Sequence, residues 1–91
     1  MKKKIAILGS TGSIGKTLLK IIKKDKKNFD IILLTAEKNY EEILKQAKIF
    51  NVKNLIIKNK KSFNKLKKKN LHKINIFNDY NSFNNIFQKK I

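Results

Sequence analysis

The chain has 91 residues, with 23 basic against 6 acidic side chains, a formal net charge of +17 and no cysteine. That length is one small domain or part of one, and it buries only about 60–65% of its extended surface, so marginal stability is expected. Without cysteine there is neither a disulfide framework nor a thiolate metal site, which suits a reducing cytoplasm, and no apolar run approaches the roughly 20 residues that span a bilayer.

The apolar run Ile5-Ala6-Ile7-Leu8 predicts a strand over residues 4–8. Gly9-Ser10-Thr11-Gly12-Ser13-Ile14-Gly15 follows, and Ile14, Leu18, Ile21 and Ile22 then recur at helical spacing, which predicts a helix over residues 13–24. A strand, a glycine turn and a helix N-terminus in that order make an anion site. The glycines let the backbone turn and approach a ligand, and the first free N–H groups of the helix point at a pyrophosphate. Ser10, Thr11 and Ser13 add hydroxyl donors. The spacing is G-x-x-G-x-x-G rather than G-x-G-x-x-G, so the flanking strand and helix carry the assignment. The start, Met1-Lys2-Lys3-Lys4, has the charge of a signal peptide, but glycine interrupts the apolar run at once, and a mature N-terminus is expected.

Residues 25–28 form a polar connector. The unalternating run Ile31-Ile32-Leu33-Leu34-Thr35 predicts a second strand, covered on both faces as in a parallel sheet. Strand, helix and strand in this length make a right-handed βαβ unit. Residues 36–39 form the loop at the end of the second strand. Asn39 reads as an N-cap with Glu42 three residues on, and the helix it starts aligns Ile43, Leu44, Ala47 and Phe50. After a break at residues 51–54, Leu55-Ile56-Ile57 predicts a third strand. Residues 58–61 read as a loop, and Ser62 as the cap of a short helix carrying Phe63, Leu66 and Leu71. Ile74, Ile76 and Phe77 predict a fourth strand, and Tyr80, Phe83 and Phe87 have helical spacing in the last stretch. The expected fold class is α/β: a partial Rossmann-like fold with a mostly parallel sheet of about four strands and helices on both faces. In such sheets the ligand lies beyond the C-terminal strand ends, and the loops at residues 9–15 and 36–39 both reach that place.

The charge invites a nucleic-acid partner, but every Lys or Arg position is lysine, with no proline or tryptophan and abundant isoleucine, asparagine and phenylalanine. These are residues of A/T-rich codons, so the lysine excess reads as genome bias on solvated positions. Arginine, the residue suited to bidentate phosphate and guanine contacts, is missing. Nucleic acid is therefore not the expected partner, nor is a membrane.

Lys4-Ile5-Ala6-Ile7-Leu8-Gly9-Ser10-Thr11-Gly12-Ser13-Ile14-Gly15, Asn28-Phe29 and Leu34-Thr35-Ala36-Glu37-Lys38-Asn39 together closely resemble the N-terminus of the 1-deoxy-D-xylulose 5-phosphate reductoisomerase family. The residue-level likeness runs to about Phe50; beyond it the order of elements matches. The family converts 1-deoxy-D-xylulose 5-phosphate to 2-C-methyl-D-erythritol 4-phosphate in non-mevalonate isoprenoid biosynthesis, with NADPH and a divalent metal. The resemblance implies that Thr11, Gly12, Ser13 and Ile14, framed by Gly9 and Gly15, contact the NADPH phosphates. It places Glu37, Lys38 and Asn39 beside the adenosine 2′-phosphate. The family has glycine where Glu37 stands. A carboxylate there hydrogen-bonds a ribose 2′-OH and repels a 2′-phosphate, Lys38 attracts the phosphate, and a Glu37 turned to solvent does neither.

The family's metal is held by an Asp-Ser-Glu segment and a further glutamate well downstream, and neither occurs here. No catalytic or metal-ligating residue is therefore assigned. Glu41 and Glu42 point to different helix faces, Asp25, Asp30 and Asp79 stand alone, and His72 is expected to be a solvated loop residue. Residues 1–91 are expected to be the N-terminal part of an NADPH-binding domain, with the catalytic and C-terminal domains absent and no catalysis unaided; the metal would belong only to the complete enzyme. The alternatives are a standalone half-Rossmann nucleotide module and a lysine-rich nucleic-acid binder. A half-sheet leaves an isoleucine-rich edge open, so self-association or pairing with a complementary C-terminal fragment is expected.

Overall fold

Strands β1 (Lys3–Ile7), β2 (Phe29–Ala36), β3 (Asn54–Ile57) and β4 (Asn75–Phe77) alternate with helices α1 (Ser13–Lys23), α2 (Tyr40–Phe50) and α3 (Lys60–Lys68). They are seen in a computed structural model that describes residues 2–69 and 74–82. The four strands pair in parallel in the order β1-β2-β3-β4, as the α/β reading required. Each crossover advances the sheet by one strand in the same direction, and β1 is left at one edge.

From Ile31 to Ala36 the central strand β2 is buried throughout, which explains why its sequence does not alternate. Its register against β1 slips at Ile32: Ile5 faces Ile31, whereas Ala6 faces Leu33. This bulge puts Ile32 and Leu33 together in a small cluster with Ile56, against which Ala6 and Phe77 pack. The larger cluster joins Ile7, Ile31, Leu34, Leu55 and Ile57 of the strands to Leu19 and Ile22 of α1, Ile43, Leu44 and Ala47 of α2, and Leu66 of α3. All three helices contribute to that cluster. The expectation of helices on both faces is thus met on one of them among the described residues.

The caps follow simple chemistry. Asn39 accepts a hydrogen bond from the Glu42 N–H at 3.2 Å and starts α2, as expected, and Asn51 ends it in the left-handed conformation at φ 55°. The third helix starts earlier than predicted. Asn59, rather than Ser62, is its N-cap, with its side-chain oxygen accepting from the Ser62 N–H at 3.0 Å.

In α1 the helical spacing is present but its exposure is not what a core-facing stripe would show. Ile14, Leu18 and Ile21 are 78%, 44% and 60% exposed, while Gly15, Leu19 and Ile22 are buried. The helix is turned by one residue so that Gly15 can face the preceding loop, and the neighbouring stripe is left exposed. Leu71, His72 and the helical stretch expected toward Ile91 lie outside the described residues, apart from a short turn at Tyr80–Ser82.

Candidate functional site

Of the chain's three glycines, Gly9 and Gly12 fall in the loop between β1 and α1 and Gly15 in the first turn of α1, and the loop is held from several sides. Gly9 takes a φ of +67°, where a side chain would be strained. Its N–H donates to the Thr35 Oγ1 at 3.0 Å, and the Ser10 N–H donates to the Thr35 carbonyl at 2.8 Å. The loop is thereby fastened to the C-terminal end of β2. The Gly12 N–H donates to the Gly9 carbonyl at 3.1 Å, closing the turn. Gly15 packs where nothing larger fits, since a Cβ there would lie 2.4 Å from the Gly9 carbonyl oxygen and 2.6 Å from the Ser10 Cα.

Helix α1 therefore begins directly above the loop. Its N-cap is Gly12, no side chain caps it and no acidic residue lies in its first turn, whereas Lys20 and Lys23 lie in its last. The N-terminal N–H groups and the positive end of the helix dipole are left for an external anion. Gly12, Ser13 and Ile14 are exposed and Thr11 is half-buried, so the predicted contact residues do present a surface. Ser10 does not: it is fully buried, and its hydroxyl sits beneath the loop rather than at a phosphate position.

The second loop stands beside the first. The Lys58 N–H donates to the Ala36 carbonyl at 3.1 Å and the Asn59 N–H to the Glu37 carbonyl at 2.8 Å, so the β2–β3 ladder continues past the strand ends. Glu37, Lys38 and Asn39 are exposed. The Asn39 side-chain oxygen is engaged in capping α2, and the Tyr40 N–H donates to the Lys38 carbonyl at 2.8 Å. Next to them, the Lys58 ammonium lies 5.3 Å from the centre of the Tyr80 ring, and the Tyr80 hydroxyl donates to the Thr35 Oγ1 at 3.2 Å.

Three contributors escaped the sequence reading. Thr35 accepts from both Gly9 and Tyr80; its signal was a hydroxyl closing an aliphatic run. Lys58 reaches the site only through β3 register, which a single sequence does not display. Gln46 is buried on α2, and its Nε2 donates to the Ser10 carbonyl at 3.0 Å and to the Glu42 Oε2 at 3.3 Å. A glutamine three residues after Ile43 and four before Phe50 was a readable sign of an inward polar group.

The carboxylates do not converge. Glu41 faces Lys69 at 3.7 Å in an exposed pair while Glu42 faces Gln46, the divergence expected of adjacent helical residues. Asp25 accepts from Asn28 and Asp79 from the Asn81 N–H, each within its own turn. Among the described residues no three His, Cys, Asp or Glu side chains gather to hold a metal, and no helix is long and apolar enough to cross a membrane.

Residues 5–90 match the family model described as 1-deoxy-D-xylulose 5-phosphate reductoisomerase. The enzyme of that name from Pelagibacter ubique is 57% identical over 88 residues, covering 93% of this chain and 22% of that protein. Its counterpart from Buchnera aphidicola (Schizaphis graminum) is 48% identical over 67 residues, covering 74% of this chain and 17% of that protein. Among solved structures, the reductoisomerase from Zymomonas mobilis in complex with NADPH superposes with a TM-score of 0.79 at 28% identity, covering 85% of this chain and 21% of that one. The likeness thus extends well past Phe50, where residue-by-residue reading had stopped. The chain spans about a fifth of the length of these relatives.

Proposed function

The chain belongs to the 1-deoxy-D-xylulose 5-phosphate reductoisomerase family, and from that premise we propose that residues 1–91 are the N-terminal part of its NADPH-binding domain. The observation that carries the reading is the uncapped α1 N-terminus over the glycine loop, set beside a second loop bearing Lys38. In this reading Gly9, Thr11, Gly12, Ser13, Ile14 and Gly15 form the pyrophosphate cradle. Backbone N–H groups and the Thr11 and Ser13 hydroxyls are the donors, and Gly15 seats the helix. Glu37, Lys38 and Asn39 border the adenosine 2′-phosphate. Lys38 supplies the cation there; the Asn39 side chain keeps the loop's end in place by capping α2. When bound, NADPH supplies the hydride of the family reaction, the conversion of 1-deoxy-D-xylulose 5-phosphate to 2-C-methyl-D-erythritol 4-phosphate. No residue of this chain is assigned to that chemical step. The divalent metal of the complete enzyme finds no fitting donor set among the described residues, and no step is routed through it. Cytoplasmic placement belongs to the same proposal and is supported by the lack of cysteine.

Titration calorimetry of the chain with NADPH and NADH tests the reading. NADPH is expected to bind about tenfold more tightly, since an added 2′-phosphate meets Lys38. Equal or reversed affinities would overturn it. The standalone module and the nucleic-acid binder gain no support from relatives that carry the reductoisomerase name.

The open side of β1 is the second part of the proposal. Leu8, Ile14, Leu18 and Ile21 lie exposed, and among the described residues β1 is an edge strand paired with β2 alone. A complementary C-terminal segment of the family enzyme is the occupant we propose, with self-association when it is missing. In sizing chromatography at high concentration the chain alone should elute as an oligomer; a clean monomer would count against this.

A further inference from the structure

Gln46 is buried at 4% exposure on α2, a helix that contributes no residue to the pyrophosphate cradle, yet its side chain is committed to the glycine loop. One Nε2 hydrogen goes to the Ser10 carbonyl at 3.0 Å and the other is directed at the Glu42 carboxylate at 3.3 Å. Both partners are acceptors, so the amide orientation is fixed by chemistry: the nitrogen must face them. Glu42 is in turn tied to the second loop, because its N–H donates to the Asn39 Oδ1 at 3.2 Å.

A consequence follows from peptide geometry. In a planar trans peptide the carbonyl and the next N–H point in opposite directions, and the described chain has no cis bond. The Ser10 carbonyl points inward to buried Gln46, so the Thr11 N–H points outward, to the side on which Gly12 and Ser13 are exposed. An inward carbonyl left without its donor would be a buried unsatisfied acceptor, and rotating the Ser10–Thr11 peptide would be one way to relieve it.

We propose that Gln46 is a positioning residue for nucleotide binding: it locks the Ser10–Thr11 peptide so that the Thr11 N–H faces the pyrophosphate, and with Glu42 and Asn39 it ties that loop to the 2′-phosphate loop. The inference rests on the NADPH reading above. It requires Gln46 to act through the backbone, not by touching the nucleotide, and it makes the two halves of the cofactor grip one connected unit.

The test is Gln46→Met, which keeps the side chain's length and removes its donors. NADPH is titrated in parallel with 2′-AMP, which reaches the Lys38 loop but has no pyrophosphate. NADPH affinity should fall about tenfold and 2′-AMP affinity should stay within about twofold. The Thr11 amide resonance should shift on NADPH addition to the unaltered chain and not to the variant. Equal losses for both nucleotides, or an unchanged NADPH affinity, would overturn the proposal. Hydrogen exchange without nucleotide separates it from the NADPH reading: in the variant the Ser10 and Gly12 amides should exchange at least tenfold faster while those of Leu55 and Ile56 do not change. If the unaltered chain binds neither nucleotide, the NADPH reading fails, and the exchange result still decides whether Gln46 holds the loop. Should Gln46→Met not fold, Glu42→Ala serves, with a smaller loss of about threefold for NADPH. An unaltered NADPH affinity there would refute the relay.

Discussion

The two loops at the C-terminal end of the sheet, proposed to share one anionic ligand, are held with opposite degrees of constraint. The glycine loop is fixed on every side: Thr35 from β2, Gln46 from α2, and the Gly15 backbone pressed against Gly9 and Ser10. The loop at residues 37–39 is fastened by its backbone to Asn59, just past β3, and by the Asn39 cap, and its Glu37 and Lys38 side chains are exposed. Where packing dictates the residue, the sequence has no freedom. Where only the backbone is held, an exposed side chain can change without disturbing the fold, and under the proposed NADPH reading the selectivity for the phosphorylated or unphosphorylated ribose can drift with it.

That contrast can be broken by substitution. The largest effect is expected inside the rigid loop, where two glycines that look equivalent in sequence should separate. Gly15→Ala drives a methyl into backbone 2.4 Å away, which no rotamer relieves, and a loss of about 3 kcal/mol would consume most of a small domain's stability. Gly12→Ala meets nothing closer than 3.5 Å and has a φ of −79° that alanine adopts freely. Its melting temperature should therefore hold within a few degrees, while the added methyl on the exposed side weakens NADPH about tenfold. Thermal unfolding of both variants alongside nucleotide titration checks the pair; a stable Gly15→Ala would remove the packing argument.

A smaller effect is expected in the open loop. Glu37→Gly should leave thermal stability unchanged, because the exposed side chain supports no part of the core. The ratio of NADPH to NADH affinity should rise several-fold as a negative charge leaves the side of the 2′-phosphate. An unchanged ratio would mean that Glu37 is turned wholly to solvent, and the contrast would then be one of rigidity without selectivity.

Much of the fold was legible because its cues are local. An unalternating run marked the buried β2, Asn39 announced the start of α2, and the glycines announced the turn from β1 into α1. The cues failed where two residues competed for one role. Asn59 and Ser62 both suit an N-cap, and Asn59 holds it. In α1 two apolar stripes run side by side, and periodicity is indifferent to which faces the sheet.

The sequence by itself determined the order of strands and helices, the parallel class of the sheet and the place of the glycine loop between a strand and a helix, since each depends on residues within a turn or two of one another. Only the tertiary structure decided that Leu19 and Ile22 point inward while Ile14 and Ile21 do not, because that choice is set by the close approach of Gly15 to Ser10. It alone brought Thr35 and Gln46, 26 and 36 positions away from their partners, to the glycine loop. Hydrogen bonds across such separations exist only once the sheet has fixed its register and the helices have packed upon it.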